Sequence, residues 1–513
     1  MVFHDLKQFM ADLEQRGELV RIRDTVSADL EITEITDRVS KSGPRGPALL
    51  FEHVKGHTVP VLMNAFGSMP RVARALGLED ESGFGQVFGD LMDIKVPAGW
   101  LDRLRFLPKL KRFLSIAPKT VKNPPCQQLV YRLGAPGALP GAAHEATPGA
   151  TEGLSLSRLP ILWSWPADGG RFITLPVVFT RHPVTGKRNV GMYRMHVYDD
   201  RTTGMHWHTH KGGAEHYRQA ERLKQRLEVA VAIGPGPAVT YAATAPVPPD
   251  IDEIQFAAFL QNAPIEMAKC LTIDQEVPAH SQFVLEGYVE PGERHIEGPF
   301  GDHTGYYSPA DLYPVFHLTC ITHQKDPVYP ATIVGKPPME DCYLAKATER
   351  IFLPLIKTQL PELVELNLPM EGVFHNLALV SINKTYPGQA KKVMSALWGM
   401  GQMMFTKIII VFESDVDVHN MADVLWRLGN DIDPRRDVIF FEGPVDALDH
   451  AASSPHFGSK MGIDATRKWP EEGYPRTWPD LIRMDPTVVE KVDRLWPKLG
   501  IDPGQGSRLV HGR

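Results

Sequence analysis

Two neighbouring runs decide how this chain is read: Gln282-Phe283-Val284-Leu285-Glu286-Gly287-Tyr288-Val289, and after it Glu297-Gly298-Pro299-Phe300-Gly301-Asp302-His303. The first is apolar and β-prone and predicts a strand. The second sets two glycines and a proline between two carboxylates, so it cannot be an ordinary helix and predicts a tight loop. Glycine lets such a loop bend sharply and lets a planar ligand come close. Two carboxylates aimed into one cavity need not share a pKa, which is the property general acid–base chemistry uses. A solvated acidic turn is the competing account of the same residues.

Around this loop the middle of the chain is β-rich. Strands are expected at 172–175, 177–180, 189–198, 205–211 and 229–233, with turns such as Pro183-Val184-Thr185-Gly186 between them. A helix is expected over 214–227, with Tyr217, Ala220, Leu223 and Leu227 on one face. Several strands interrupted by one helix suggest a small barrel or sandwich. Towards the N-terminus, Leu6, Phe9, Met10 and Leu13 recur at helical spacing before Gly17. Strands at 19–22, 48–51 and 59–63 and helices at 30–39 and 70–76 complete an α/β region. Beyond 327 the alternation returns, with helices at 347–355, 391–397 and 422–428 and a strand at 373–380. The continuous apolar strand Lys407-Ile408-Ile409-Ile410-Val411-Phe412 is of the kind covered on both faces. The segment 134–149, rich in Pro, Ala and Gly, marks an excursion or boundary. The tail after Trp478 has helical pieces and no core of its own. No internal repeat is evident.

The 513 residues suffice for two or three domains with large cores. Apolar content of 43% and charged content of 23% are globular values. A net charge of −6, from 55 basic and 61 acidic residues, gives no general attraction to nucleic acid. The basic run from Arg103 through Lys122 reads as a solvated helix face. Four scattered cysteines, Cys126, Cys270, Cys320 and Cys342, form no CxxC pair and indicate a reducing compartment. No signal-like start and no apolar run of bilayer-spanning length is seen, so a cytoplasmic, soluble protein is expected.

Three further clusters carry possible chemistry. In Met205-His206-Trp207-His208-Thr209-His210, alternating histidines on a strand share a face and would suit zinc or iron, or would simply hydrogen-bond nearby. Lys211-Gly212-Gly213 precedes a helix, where exposed N–H groups favour phosphate. In Asn189-Val190-Gly191-Met192-Tyr193-Arg194, the arginine can clamp a carboxylate or serve a structural ion pair. Asn189 and Arg194 would face opposite sides of one strand unless a bulge or turn intervenes. Tyr241-Ala242-Ala243-Thr244-Ala245-Pro246 with Glu253 offers loop oxygens that suit a hard cation.

The order of these segments closely resembles the UbiD family of decarboxylases. The resemblance runs from Asn189-Val190-Gly191-Met192-Tyr193-Arg194 through His210-Lys211-Gly212-Gly213-Ala214 and Thr244-Ala245-Pro246 with Glu253 to Glu297-Gly298-Pro299-Phe300-Gly301-Asp302-His303-Thr304-Gly305. It continues into Gly335-Lys336-Pro337-Pro338-Met339-Glu340-Asp341 and Phe457-Gly458-Ser459-Lys460-Met461-Gly462-Ile463-Asp464-Ala465-Thr466, so it spans nearly the whole chain.

The resemblance implies an α/β plus β architecture: an N-terminal α/β domain (1–122), a central FMN-binding split β-barrel (123–326), a C-terminal α/β domain (327–477) and a helical tail (478–513) that crosses to another subunit. It implies prenylated FMN, supplied by a partner flavin prenyltransferase, and reversible decarboxylation of an aromatic or α,β-unsaturated acid with release of CO2. A polyprenyl hydroxybenzoate of ubiquinone biosynthesis is one such acid, and its prenyl chain would bring peripheral membrane contact. Asn189, His210 and Glu253 would hold Mn2+, with K+ as an optional second ion, and this departs from the three-histidine zinc reading. Met192, Tyr193, Arg194, His206, Trp207, His208, Lys211 and Gly212 would contact the cofactor, with Lys407 a weaker phosphate contact. Arg194, Glu297 and Asp302 match the catalytic set, with Asp302 the proton donor in its neutral form and Arg194 paired to Glu297. Apolar surroundings would raise the pKa of Asp302. The assembly implied is a homodimer or homohexamer. Two alternatives remain: an oxidoreductase using ordinary FMN on a similar barrel, and a non-catalytic cofactor-binding subunit.

Overall fold

The computed structural model describes residues 2–43, 46–88, 116–133, 154–208, 211–248 and 250–501. The expected excursion at 134–149 and most of the basic run lie outside the described residues. The chain divides into two compact units, Met1–Pro354 and Leu355–Arg513.

In the first unit, helix Leu6–Gln15 forms where the periodicity predicts it. Asp5 caps it by accepting from the Gln8 amide, Phe9 and Leu13 are fully buried, and Gly17 follows with φ of +69°. Helix Glu31–Lys41 places acids in its first turn and bases in its last, in keeping with the helix dipole. Helix Met69–Ala75 is capped by Ser68 and has proline in its first turn. Beside these lies a sheet ordered Leu19–Ile22, Ala48–Phe51, Val61–Met63 and Tyr329–Pro330. Its last strand comes from far along the chain and pairs in parallel with Val61–Met63.

Among the described residues the larger sheet has seven strands. Along its path run Thr202–Gly204, Asp311–His323, Phe283–Glu297, Leu227–Ile233, Pro176–Arg181 and Arg188–Met192, and Leu129–Arg132 adds to Asp311–His323. Every pairing in it is antiparallel. The β-branched run Leu227–Ile233 sits in the interior of the sheet, with Val229, Val231 and Ile233 fully buried. Helix Gly212–Leu223 buries Ala214, Tyr217 and Ala220 in the same core. That helix ends four residues earlier than the sequence suggests, because Lys224 turns into the left-handed region and the strand claims Leu227. Among the described residues, no pairing joins the edge strands Thr202–Gly204 and Arg188–Met192. The fold is thus mixed α/β with several sheets.

Three sequence expectations change here. The strand of 282–289 runs on to Glu297, with register shifts between Glu286 and Gly287 and between Val289 and Arg294. The run 189–198 is two strands, Arg188–Met192 and Met195–His196, in different sheets. Of the run 205–211, the described residues 205–208 and 211 form no strand, and the preceding strand ends at Gly204.

The second unit holds a five-stranded sheet ordered Leu363–Asn367, Leu377–Ile382, Ile408–Glu413, Phe457–Ala465 and Val438–Pro444. Ile408–Glu413 pairs in parallel on both sides, and Ile409, Val411 and Phe412 are fully buried, as a continuous apolar run requires. The strand expected at 373–380 starts only at Leu377, because Val373 and Phe374 adopt φ of +55° and +44°. In the tail, helix Pro486–Leu495 buries none of its residues and leaves Val488, Val492 and Leu495 exposed. All four cysteines carry free thiols. Among the described residues no helix is long and apolar enough to cross a membrane.

Candidate active site

Arg194 stands where the chain leaves one sheet for another. Met192 still pairs with Val177 in the large sheet, while Met195 pairs with Ile173 in a two-stranded one. Tyr193 and Arg194 form the step between them. This resolves the parity problem, because Asn189 and Arg194 do not share one strand.

The Arg194 guanidinium is a hub. Its Nε donates to Glu297 Oε1 at 2.9 Å, one Nη donates to Asp302 Oδ2, and the other donates to Ser308 Oγ at 3.2 Å. Its carbon lies 4.5 Å from the centroid of the Phe300 ring, a cation–π distance. Glu297 is 1% exposed and Asp302 is 5% exposed, so this is a buried ionic cluster. The loop between the two acids is built by its glycines. Gly298 has φ of +91°, a value side chains avoid. A Cβ on Gly301 would lie 2.2 Å from Trp165 Cδ1. Asp168 fastens the loop by accepting from the Gly301 amide at 2.7 Å and from the Trp165 amide at 2.8 Å.

Burial alone would push the carboxyl of Glu297 up, but His206 and Arg194 outweigh it and hold it below the ordinary range. His206 Nδ1 lies 2.8 Å from the same Oε1 that Arg194 uses. For Asp302 burial also pushes upward, and the charge of Arg194 and the contact with His303 more than reverse it. The expected upward shift of Asp302 is therefore corrected: in this arrangement it is an ionised carboxylate, because the Arg194 guanidinium and His303 together stabilise its charge. His206 is itself pushed down, first by burial and then by Arg194.

Beside this cluster lies a second gathering of groups. Glu253 opens helix Glu253–Gln261, not a loop as the sequence suggests, and Asp252 caps that helix. Tyr241 and Ala242 are likewise helical, in Pro237–Ala242. Glu253 Oε2 accepts from the Val190 amide at 3.1 Å, which brings its carboxylate beside Asn189. Burial pushes Glu253 up to about 7. Asn189 Nδ2 lies 3.4 Å from Tyr193 Oη, and the Gly213 amide donates to the same oxygen. Lys211 is the N-cap of helix Gly212–Leu223. A Cβ on Gly212 would meet Asn189 Oδ1 at 1.9 Å, and one on Gly213 would meet Trp207 Nε1 at 2.5 Å. Only glycine leaves this corner open.

His210 lies outside the described residues. His206 and His208 do meet, through their Nε2 atoms. Among the described residues no group of three His, Cys, Asp or Glu side chains forms a metal cage. The zinc reading of the three histidines therefore gains no support, and His206 serves Glu297 instead. Lys407 belongs to the second unit, where its Nζ contacts Asp449 at 2.8 Å.

The residues present fit a flavin phosphate and a hard cation. Asn189 and the half-buried Glu253 supply oxygen donors, and a helix N-terminus faces the same corner. Trp207 Nε1, Tyr198 Oη and Glu297 Oε2 are buried polar atoms without a hydrogen-bond partner among the described residues. Sequence reasoning missed Ser308, Phe300, Trp165 and Asp168. Phe300 lies inside the quoted loop and Ser308 just beyond it, but Trp165 and Asp168 sit far upstream in a stretch with no recognisable pattern.

Models described as the N-terminal, Rift-related and C-terminal domains of 3-octaprenyl-4-hydroxybenzoate carboxy-lyase (UbiD) match residues 10–91, 140–337 and 342–465 in that order. The chain belongs to the UbiD family. UbiD proteins are carboxy-lyases, and this chain is an enzyme of that class. An uncharacterized protein of Archaeoglobus fulgidus is 49% identical over 501 residues, covering 97% of this chain and 99% of the relative. One of Aquifex aeolicus is 48% identical, covering 98% and 99%. Among solved structures, the closed form of the vanillic acid decarboxylase of Sedimentibacter hydroxybenzoicus has 30% identity and a TM-score of 0.81, covering 98% of this chain and all of that one. The UbiD-class enzyme HmfF of Pelotomaculum thermopropionicum in complex with FMN has 28% identity and a TM-score of 0.75, covering 93% and 97%. An evolved dimeric form of HmfF is in complex with prFMN.

Proposed function

We propose that this enzyme removes CO2 from an aromatic or α,β-unsaturated acid with prenylated FMN, and that Asp302 supplies the proton. The observation that carries the reading is the meeting of Glu297, Asp302 and Ser308 on one buried guanidinium, Arg194. Prenylated FMN supplies an electron sink for the carbon that loses CO2. Asn189, His210 and Glu253 would hold Mn2+ against its phosphate, with Lys211 and the amides of Gly212 and Gly213 nearby. Tyr193, Trp207, His206, His208 and Met192 would line its ring. We read the open antiparallel sheet as one face of a split barrel, with the flanking α/β regions divided as the sequence suggests.

Arg194 steers the substrate carboxylate and, by doing so, gives up part of its hold on Asp302. Burial then acts on Asp302 with less opposition and raises its affinity for a proton. Glu297 keeps its contact with His206 and remains the ionised companion that anchors the arginine. The buried walls exclude water, so the proton reaches carbon from Asp302.

The test has two parts. The intact mass of the released cofactor distinguishes prenylated FMN from ordinary FMN. CO2 release is then measured with 4-hydroxybenzoate, vanillate, 3,4-dihydroxybenzoate and cinnamate. Ordinary FMN with substrate oxidation favours the oxidoreductase alternative. No CO2 from any of these acids while prenylated FMN is bound would overturn the proposed substrate class.

A further inference from the structure

The loop that carries the two acids closes as a small hairpin. Phe300 pairs with Ser308 and Gly301 with Tyr307, antiparallel. At the tip the Asp302 amide donates to the Tyr306 carbonyl at 3.0 Å, and the Gly305 amide donates to the Asp302 carbonyl at 2.9 Å. Gly305 has φ of +82°, and a Cβ there would lie 3.2 Å from Lys336 Cα, so the tip rests on a neighbouring segment. Phe300, Asp302 and Ser308 all meet Arg194 and therefore share one frame.

Within that frame His303 turns back onto Asp302. Its amide donates to Asp302 Oδ1 at 2.7 Å, and its imidazole Nδ1 lies 2.8 Å from the same oxygen. Facing an ionised carboxylate, Nδ1 carries the hydrogen and donates. Arg194 uses the other oxygen, Oδ2. An ionised carboxylate has about four acceptor sites, shared equally by its two oxygens. His303 fills both sites of Oδ1, whereas Arg194 fills one of those on Oδ2. The two oxygens of the acid are therefore not equivalent. The Asp302 side chain is 7% exposed, so solvent does little to even them out.

We propose that His303 is a positioning residue that reserves Oδ2 of Asp302 for the transferred proton. This rests on the reading of Asp302 as proton donor. With Oδ1 saturated, protonation falls on Oδ2, the oxygen turned towards Arg194. The arginine steers the substrate carboxylate on that same side, so the O–H points to the carbon that loses CO2. While the guanidinium stays on Oδ2, its charge opposes the proton. A substrate carboxylate that draws it off clears the oxygen, so the acid is armed only once the site is occupied. In the transfer the O–H bond at Oδ2 breaks as the C–H bond forms. Asp302 is left as a carboxylate and takes its next proton from solvent, one for each carboxylate converted to CO2 and a C–H bond. His303 itself exchanges no proton. It holds the acid in register and, by stabilising the charged form, makes the O–H a stronger acid. The groups facing the pair are Arg194 with Glu297 behind it, His206, Tyr313 and Asp341, which feel the charge of Asp302, and Lys336 beneath the tip.

The test uses the full-length holoenzyme with whichever acid of the panel turns over fastest. His303→Leu removes the side-chain donor and frees a site on Oδ1. It should lower the plateau of kcat roughly ten- to a hundredfold with KM unchanged. Because a donor to the charged form is lost, the limb on which kcat falls with rising pH should move to higher pH. His303→Asn sets a side-chain N–H close to where Nδ1 stands but cannot relay a proton. It should restore most of the rate and return the limb to its native place. Independently of turnover, the carboxyl 13C signal of Asp302, assigned by its loss in Asp302→Asn, should move in His303→Leu and return in His303→Asn. Where the leucine variant does not fold, His303→Ala serves the same comparison. Native kcat and pH profile in His303→Leu would overturn the proposal. A lowered rate with an unmoved limb would also overturn it, as structural damage alone. His303→Asn as slow as His303→Leu would overturn it in favour of an imidazole that relays the proton. Retained turnover in Asp302→Asn would instead overturn the donor reading beneath it.

Discussion

Replacing Arg194 by methionine should convert the site from a charge-paired cluster into two stranded acids. The change keeps an apolar stem of similar length and deletes the guanidinium. In the native protein that group is 11% exposed and serves Glu297, Asp302 and Ser308 together. Removing one member of a buried ionic pair costs about 3–5 kcal/mol. Because two buried carboxylates lose the same partner, the loss near neutral pH should reach the upper part of that range. The dependence on pH has a definite sign. Both acids have depressed values in the native fold, so their contribution is full above the ordinary carboxylate range and is lost as pH falls through the folded-state values. Without the arginine, the burial of Asp302 is opposed chiefly by His303, and its folded-state value rises. If it exceeds the unfolded value, the variant binds a proton on folding and loses stability as pH rises. The gap between native and variant should therefore be widest near pH 8 and narrow towards pH 5, by about 1.4 kcal/mol for each unit of pKa displacement. Urea unfolding of protein prepared without cofactor, followed by tryptophan fluorescence across that pH range, measures the gap. A gap that does not change with pH, or one below about 1 kcal/mol near pH 8, would refute the cluster's electrostatic description.

Asp302→Asn should abolish CO2 release and solvent-deuterium exchange into product while flavin absorbance stays unchanged. Loss of the flavin instead would mean that Asp302 holds the cofactor. Gly212→Ala drives a methyl group into the Asn189 amide, and Glu253→Ala removes an oxygen donor. Both should release divalent metal and flavin together, by elemental analysis and absorbance, with a stability cost for the alanine at 212 of about 1–3 kcal/mol. Truncation before Pro486 removes an exposed helix bearing Val488, Val492 and Leu495, and should lower the mass found by light scattering. An unchanged assembly mass would exclude the tail from the oligomer contact.

How far the sequence could be read depended on whether the deciding interaction is local. Helix Leu6–Gln15 and strand Ile408–Glu413 follow from periodicity and a continuous apolar run, and both formed where expected. Helix Pro237–Ala242 is short and buried at every position, so it shows no amphipathic period to detect. The run 189–198 looks like one strand, because composition does not record that Tyr193 and Arg194 step between sheets. Val373 and Phe374 carry β-prone side chains but hold positive φ, a choice made by their surroundings. In the site, the motif residues Arg194, Glu297 and Asp302 were legible, and they do converge. The ionisation of Asp302 was not, since it turns on an arginine distant in sequence and shared with a second acid. Trp165 and Asp168 brace the loop from a stretch without any pattern, so their part emerged only from the three-dimensional contacts.

The N-terminal sheet takes its fourth strand from Tyr329–Pro330. During synthesis on the ribosome, that sheet therefore stays one strand short until most of the first unit has been translated. Until then the edge of Val61–Met63, whose residues are almost completely buried in the finished protein, is open to wrong partners. The start of the chain is thus completed by one of the last segments of its unit to emerge. A nascent chain halted before Tyr329 should be a good substrate for holding chaperones, and one released beyond it a poor one.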